Sequence, residues 1–235
     1  MKTLVLFSPS ELSPCSYLPD RQSRSQYVDP RLWLVPEELN TLNRMGFRRS
    51  GRLVYRPQCP GCMECIPVRL YTKAFRPGRT TRRLLKRASS WQLSVTPADF
   101  SAEHYSLYER YISLRHSDGD MFPPTEKTFR EFLTEDFGTT RFLNAHHQGR
   151  LIGTLVFDTF DDGLSSVYCF YDPDYEQYSV GTLLITHLTH LASALNLPFN
   201  YLGFWVKGCR KMEYKTRFSP LEWFRDGVWQ PINPE

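Results

Sequence analysis

The chain has 235 residues, 41% apolar and 23% charged, with a net charge of +4; that allows one large domain or a small one joined to a medium one, and it is the composition of a folded protein, not a disordered one. No run approaches the ~20 apolar residues of a membrane helix, and the apolar stretch at residues 3–7 is shorter than the core of a signal peptide. A cytoplasmic protein with no membrane partner and with reduced cysteines is expected, and three cysteines crowded into seven residues, 59–65, cannot all bridge one another in any case.

Residues 10–35, rich in Ser, Pro and Arg, read as an ordered but irregular segment. A helix is predicted from Pro36 to Met45, with Pro at its first position and Gly46 just past its end. RLVYR (52–56) and IPVRLYT (66–72) read as the two strands of a hairpin with Cys59, Cys62 and Cys65 at its tip. RTTRRLLKRASS (79–90) is a helix and WQLSV (91–95) a strand; residues 101–116 and 125–135 are two more helices. Three strands follow, TRFLNAHH, RLIGTLVFDTF and GLSSVYCFYD, then a helix from Ser179 to Ala194, the strand FNYLGFW, a helix-like KMEYKTRFSPLEWF and a last hairpin, EWFRDGVWQ. From Phe100 onward this is the element order of an acetyltransferase (GNAT-type) domain. The expected class is therefore α+β: a small N-terminal cysteine-bearing domain over 1–98, including a basic helix at 79–90, and an acetyltransferase-like mixed-sheet domain over 99–235.

Charge is unevenly spread. Between Cys65 and Ala98 stand eight basic residues and no acid, and removing that block leaves the rest of the chain at −4. On a helical wheel Arg79, Arg82, Arg83, Lys86 and Arg87 share one stripe, while Leu84, Leu85 and Ala88 lie opposite. Like charges one turn apart cost a few tenths of a kcal/mol each, and binding to phosphate offsets that cost through counterion release. A nucleic acid or another polyanion is the expected partner of this face.

C-x2-C-x2-C gathers Cys59, Cys62 and Cys65 for zinc or an iron–sulfur cluster, with Cys15 the only other cysteine of the N-terminal part; three small buried residues in a Pro/Gly turn are the alternative, and spacing does not separate them. His187 and His190 lie one turn apart on an apolar helix and read as packing residues, and Cys169 and Cys209 have no base paired with them. The turn DPDYEQYSVGT before the late helix puts free N–H groups at a helix start, but it lacks the second small residue of a coenzyme A pyrophosphate loop.

Taken together, SPCSYLPDRQSRSQYVDP, YRPQCPGCMECIPVR, YDPD, SVGT and YLGFWVKGCRKMEYKTRFSPLE resemble the aminoacyl-tRNA–protein transferase family, and the length and cysteine spacing resemble its bacterial branch of aspartate/glutamate leucyltransferases. The resemblance implies transfer of leucine from leucyl-tRNA to a protein's N-terminal Asp or Glu, marking that protein for degradation through the N-degron pathway, and it implies no cofactor required for transfer. Under it, Arg79, Arg82, Arg83, Lys86 and Arg87 hold the tRNA; Arg21 and Arg24, or Lys211 and Lys215, receive the acidic side chain; Tyr168, Asp172 and Tyr175 stand near the reacting centre; Cys15, Cys59, Cys62 and Cys65 hold an iron–sulfur cluster or zinc. A non-catalytic metal-stabilised RNA-binding module and a coenzyme A-dependent acetyltransferase are the competing readings.

Overall fold

The computed structural model describes residues 4–119 and 121–232. Two short strands, β1 (Leu6–Phe7) and β2 (Ser13–Pro14), precede β3 (Gln22–Ser23) and β4 (Ser25–Val28). Helix α1 (Pro36–Arg44) opens on proline, whose fixed φ and missing N–H suit a first helical turn. Then come β5 (Arg48–Ser50), β6 (Leu53–Pro57) and β7 (Ile66–Tyr71), followed by the basic helix α2 (Arg79–Arg87) and β8 (Gln92–Pro97). Helix α3 (Ala102–Arg115) is capped by the Ser101 hydroxyl, and α4 (Glu126–Phe129) runs on into a π turn over Arg130–Thr134. Strands β9 (Thr140–His147), β10 (Arg150–Thr159) and β11 (Gly163–Tyr171) lead through a 3-10 turn to α5 (Val180–Ala194), and β12 (Phe199–Trp205), β13 (Leu221–Arg225) and β14 (Val228–Pro231) end the fold.

Eight strands form one open mixed sheet in the order β14-β13-β7-β12-β11-β10-β9-β8, and β1, β4, β6 and β5 form a second sheet. Within the large sheet β11 and β12 run parallel, and the other neighbours are antiparallel. Helix α5 covers one face, with Val180, Leu184 and Leu188 against Leu155, Phe157 and Leu202. Helices α3 and α4 cover the other, with Tyr108, Ile112 and Phe129 against Phe142, Val156 and Phe170. Residues 151–158 of β10 are therefore buried on both faces, which is why that strand reads as a near-continuous apolar run instead of alternating. A third core joins α1 to β6 through Leu39, Leu42, Phe47, Val54 and Phe137.

The N-terminal sheet is fastened to the large one by arginines. Arg49 holds both oxygens of Asp158 at 2.7 and 2.8 Å, with only 5% and 3% of the two side chains exposed. Arg44 pairs with Asp161 and Asp162 at the other end of the joint.

One expectation changes. RLVYR and IPVRLYT do not form a hairpin: β6 pairs with β4 and β5, whereas β7 pairs with β12 and β13. The cysteine segment thus passes from one sheet to another, because Ile66, Val68 and Leu70 need the apolar surroundings of a central strand. Strands β7 and β8, from before residue 98, lie in the sheet whose other strands come from later residues.

Candidate active site between two splayed strands

Strands β11 and β12 pair only over Gly163–Ser165 and Phe199–Tyr201. Past that point each carries an extra residue. The register of β11 on β10 jumps from Ser166 to Tyr168, leaving Val167 unpaired, and that of β12 on β7 jumps from Tyr201 to Gly203, leaving Leu202 unpaired. A bulge bends its strand and raises its twist. Bulges on both members of a parallel pair drive them apart into a wedge.

Arg48 fills the base of that wedge. Its guanidinium donates to the Ser165 hydroxyl at 2.6 Å and to the Ser166 carbonyl, on β11 where β12 leaves it. On the β12 side Gly203 has φ +81°, and a Cβ there would come within 3.4 Å of Arg48 Nε. Burial pulls the Arg48 pKa down, with Asp158 acting against it. Yet Asp158 is engaged by Arg49, and among the described residues no carboxylate forms an ion pair with Arg48.

Above it lies the 3-10 turn Glu213–Arg217. Lys215 is 5% exposed and donates to the Phe204 carbonyl; burial, then the charge of Arg48, pulls its pKa to about 7. Tyr214 faces both Cys169 and Arg48, and burial pushes its phenol up to about 12. Burial also pushes the Cys169 thiol up to about 12, so it stays protonated and is no nucleophile. On the flank the Tyr111 ring packs on Tyr171 at 5.0 Å between centroids, and its hydroxyl meets His116 Nε2 at 3.1 Å.

The three residues expected near the reacting centre occupy different surroundings. Tyr168 borders the wedge near Tyr111 and Cys169; its hydroxyl is buried with no partner, and burial keeps it protonated far above neutral pH. Asp172 is fully buried and held by Arg150 and by Arg110 at 3.2 Å, and it also accepts the Asp174 N–H at 3.1 Å. Its oxygens are in use. Tyr175 meets His147 at 3.0 Å and packs with Trp91 and Tyr178 beside α2, where Arg87 lies 4.7 Å over the Tyr178 ring.

Of the four cations expected to receive an acidic side chain, Lys215 lies in the wedge, and the exposed Lys211 is close enough to His116 to lower its pKa. Arg21 is exposed, and Arg24 sits with the cysteines, its backbone N–H 3.5 Å from Cys59 Sγ. On α2, Arg79, Arg82, Arg83, Lys86 and Arg87 lie on the outer side, while Leu84 and Leu85 turn inward and Ala88 is buried. Sequence reasoning missed Arg48, because FRRSG gives no sign of which arginine meets Asp158 and which meets β11.

Cys15, Cys59, Cys62 and Cys65 are half-buried free thiols. Burial, then Cys59, Cys15, Cys62 and Cys209, pushes Cys65 up to about 12, so Cys209, read from sequence as solitary, belongs to the same cluster. A set of thiols suits zinc or an iron–sulfur cluster chemically. As placed, however, no three His, Cys, Asp or Glu side chains among the described residues form a group that could hold one metal ion. Among the described residues no helix is long and apolar enough to cross a membrane.

The family models for the N terminus and the C terminus of arginine-tRNA-protein transferase match residues 13–83 and 103–225. Aspartate/glutamate leucyltransferase of Marinobacter nauticus is 42% identical over 100% of this chain and 99% of its own length. The proteins of that name from Alcanivorax borkumensis and Chromohalobacter salexigens are 43% and 44% identical, each over 92% of this chain and over 89% and 88% of their own lengths. A solved structure of a protein of unknown function from Staphylococcus epidermidis aligns at 13% identity with a TM-score of 0.41, over 86% of this chain and 66% of that one, too low a score to bear on the fold. By both family models and by relatives matched from end to end, the chain belongs to the arginine-tRNA-protein transferase family.

Proposed function

We propose that the chain transfers leucine from leucyl-tRNA to the N-terminal Asp or Glu of a protein, with the wedge between β11 and β12 as the reacting centre. The observation that carries this reading is the match to an aspartate/glutamate leucyltransferase at 42% identity over the whole chain. The helix order, the one parallel strand pair and its splay agree with an acetyltransferase-like fold in which an aminoacyl ester takes the place of an acetyl thioester.

The chemistry asks little of the protein. The acceptor's α-amine attacks the ester carbonyl carbon of leucyl-tRNA; the C–N bond forms, the bond to the terminal ribose oxygen breaks, and the amine's proton leaves for that oxygen or for solvent. The ester is already activated, so positioning and stabilisation of the tetrahedral oxyanion are what remain. Tyr168 supplies a protonated hydroxyl with no partner in the free protein, suited to donate to that oxyanion. Asp172, tied to Arg110 and Arg150, orders the end of β11 and does not act as a base. The acid-free stripe of α2 holds the acceptor arm of the tRNA, with Tyr175, Tyr178 and Trp91 extending that surface. Lys211 lends positive charge to the rim of the wedge. Incubation with leucyl-tRNA and peptides beginning with Asp or Glu tests the reading: labelled leucine should appear on both peptides. Bound leucyl-tRNA without transfer supports the RNA-binding module instead, and acetylation from acetyl-coenzyme A supports an acetyltransferase.

A further inference from the structure

Two cations, Arg48 and Lys215, meet at the wedge, and among the described residues no carboxylate forms an ion pair with either, the nearby Asp158 being engaged by Arg49. Arg48 and Lys215 act on each other electrostatically, and the repulsion contributes to pulling Lys215 down. Arg48 spends its hydrogen bonds on a hydroxyl and a carbonyl, although the side chain offers five N–H donors. Its neighbour Arg49 shows what this fold does with an arginine of purely structural use, since that one meets both oxygens of a buried carboxylate. Burying an unbalanced cation is costly, and the cost is offset if an anion arrives from outside.

We propose that Arg48 is a specificity-determining residue whose free guanidinium donors, at the base of the wedge, receive the side-chain carboxylate of the acceptor's N-terminal residue. The inference rests on the leucyltransferase reading and adds to it the group that separates Asp and Glu from Asn and Gln. A planar carboxylate fits the guanidinium fork, and the wedge lies next to the Tyr168 hydroxyl, so the acceptor's α-amine would be presented to the reacting carbonyl. The alternative anion, a tRNA phosphate, is met by the outward stripe of α2, whereas Arg48 lies between two diverging strands. A Cβ at Gly203 would touch the guanidinium at 3.4 Å, so glycine keeps that flank of Arg48 free of a side chain.

The test compares KM for a peptide beginning with Glu with the inhibition constant of the same peptide beginning with Gln. Wild-type protein should prefer Glu. Arg48→Met should raise the Glu peptide's KM about 10- to 100-fold, the effect expected of removing a charge-assisted hydrogen bond. The Gln inhibition constant and the KM for leucyl-tRNA should stay within twofold of wild type. Arg48→Lys, which keeps the charge and loses the fork, should fall between the two, and it carries the same comparison if the methionine variant does not fold. Equal weakening of Glu and Gln peptides would reduce Arg48 to a filler of the splay and overturn the inference. A raised KM for leucyl-tRNA with an unchanged peptide KM would overturn it in favour of a phosphate ligand. If wild-type protein transfers no leucine, the leucyltransferase reading fails and this inference with it; if it transfers leucine and Arg48→Met keeps its preference for Glu, the inference alone fails.

Discussion

Asp158 accepts from Arg49 through both oxygens and from Thr140 at 2.6 Å, all at the joint between the two sheets. Asp158→Ala leaves a buried guanidinium without its counter-charge, which should cost about 3–5 kcal/mol of unfolding free energy in urea titration; a change under about 1 kcal/mol would show the joint to be held by its apolar packing alone. Tyr168 separates stability from catalysis in the opposite sense. Its hydroxyl is buried and unpartnered, so Tyr168→Phe should leave the thermal midpoint unchanged or raised. The same change should lower kcat roughly a hundredfold, as removal of an oxyanion donor does, with KM for both substrates little altered. A normal kcat in that variant would remove Tyr168 from the reacting centre. Of these residues Tyr168 is named from the sequence only through family resemblance. Arg48 was not legible at all, since its neighbour Arg49 is chemically identical and only the register of β5 on β6 tells them apart.

At the scale of elements, α2 makes a separable claim. Arg82, Arg83 and Lys86 lie opposite the leucines that pack the helix inward, so changing all three to Ala should leave the thermal midpoint within a few degrees of wild type. Each cation removed from a phosphate should flatten the slope of log affinity for leucyl-tRNA against log salt by about 0.7–0.9; an unchanged slope would place the tRNA elsewhere. Helix α3 makes a claim about pH. His104 near its start meets the Ser101 hydroxyl at 2.6 Å and Asn144 Oδ1 at 3.0 Å, and burial holds its pKa below the ordinary value of a histidine. Below about pH 6.5 the unfolded chain takes up this proton before the folded one does. Stability present above that pH should therefore decline as pH falls through it. His104→Gln should show a smaller drop in thermal midpoint between about pH 7 and pH 5.5, and an identical drop would contradict the assignment. The helices and β9 to β12 could be read along the chain because each declares a period or an apolar run. The wedge could not, because it arises from two one-residue bulges, at Val167 and Leu202, that leave no mark on local composition.

At the scale of the whole molecule, the large sheet draws strands from both sides of residue 98. IPVRLY looked like the return strand of a hairpin because it follows RLVYR closely, but its burial requirement is met only between β12 and β13. A fragment covering residues 99–235 therefore lacks an interior strand, and it should show no cooperative thermal unfolding on its own. A sharp transition in that fragment would mean that the sheet closes without β7. The N-terminal part of the chain supplies Arg48, on β5, and the central strand β7, while the other parts of the candidate centre come from β11, β12 and the turn at Glu213–Arg217. The most direct test of what that centre does is single-turnover transfer of labelled leucine from leucyl-tRNA to peptides identical except for an N-terminal Glu or Gln. The account predicts a leucyl–peptide bond on the Glu peptide and little or none on the Gln peptide. Equal labelling of both, or none of either while leucyl-tRNA stays bound, would contradict it.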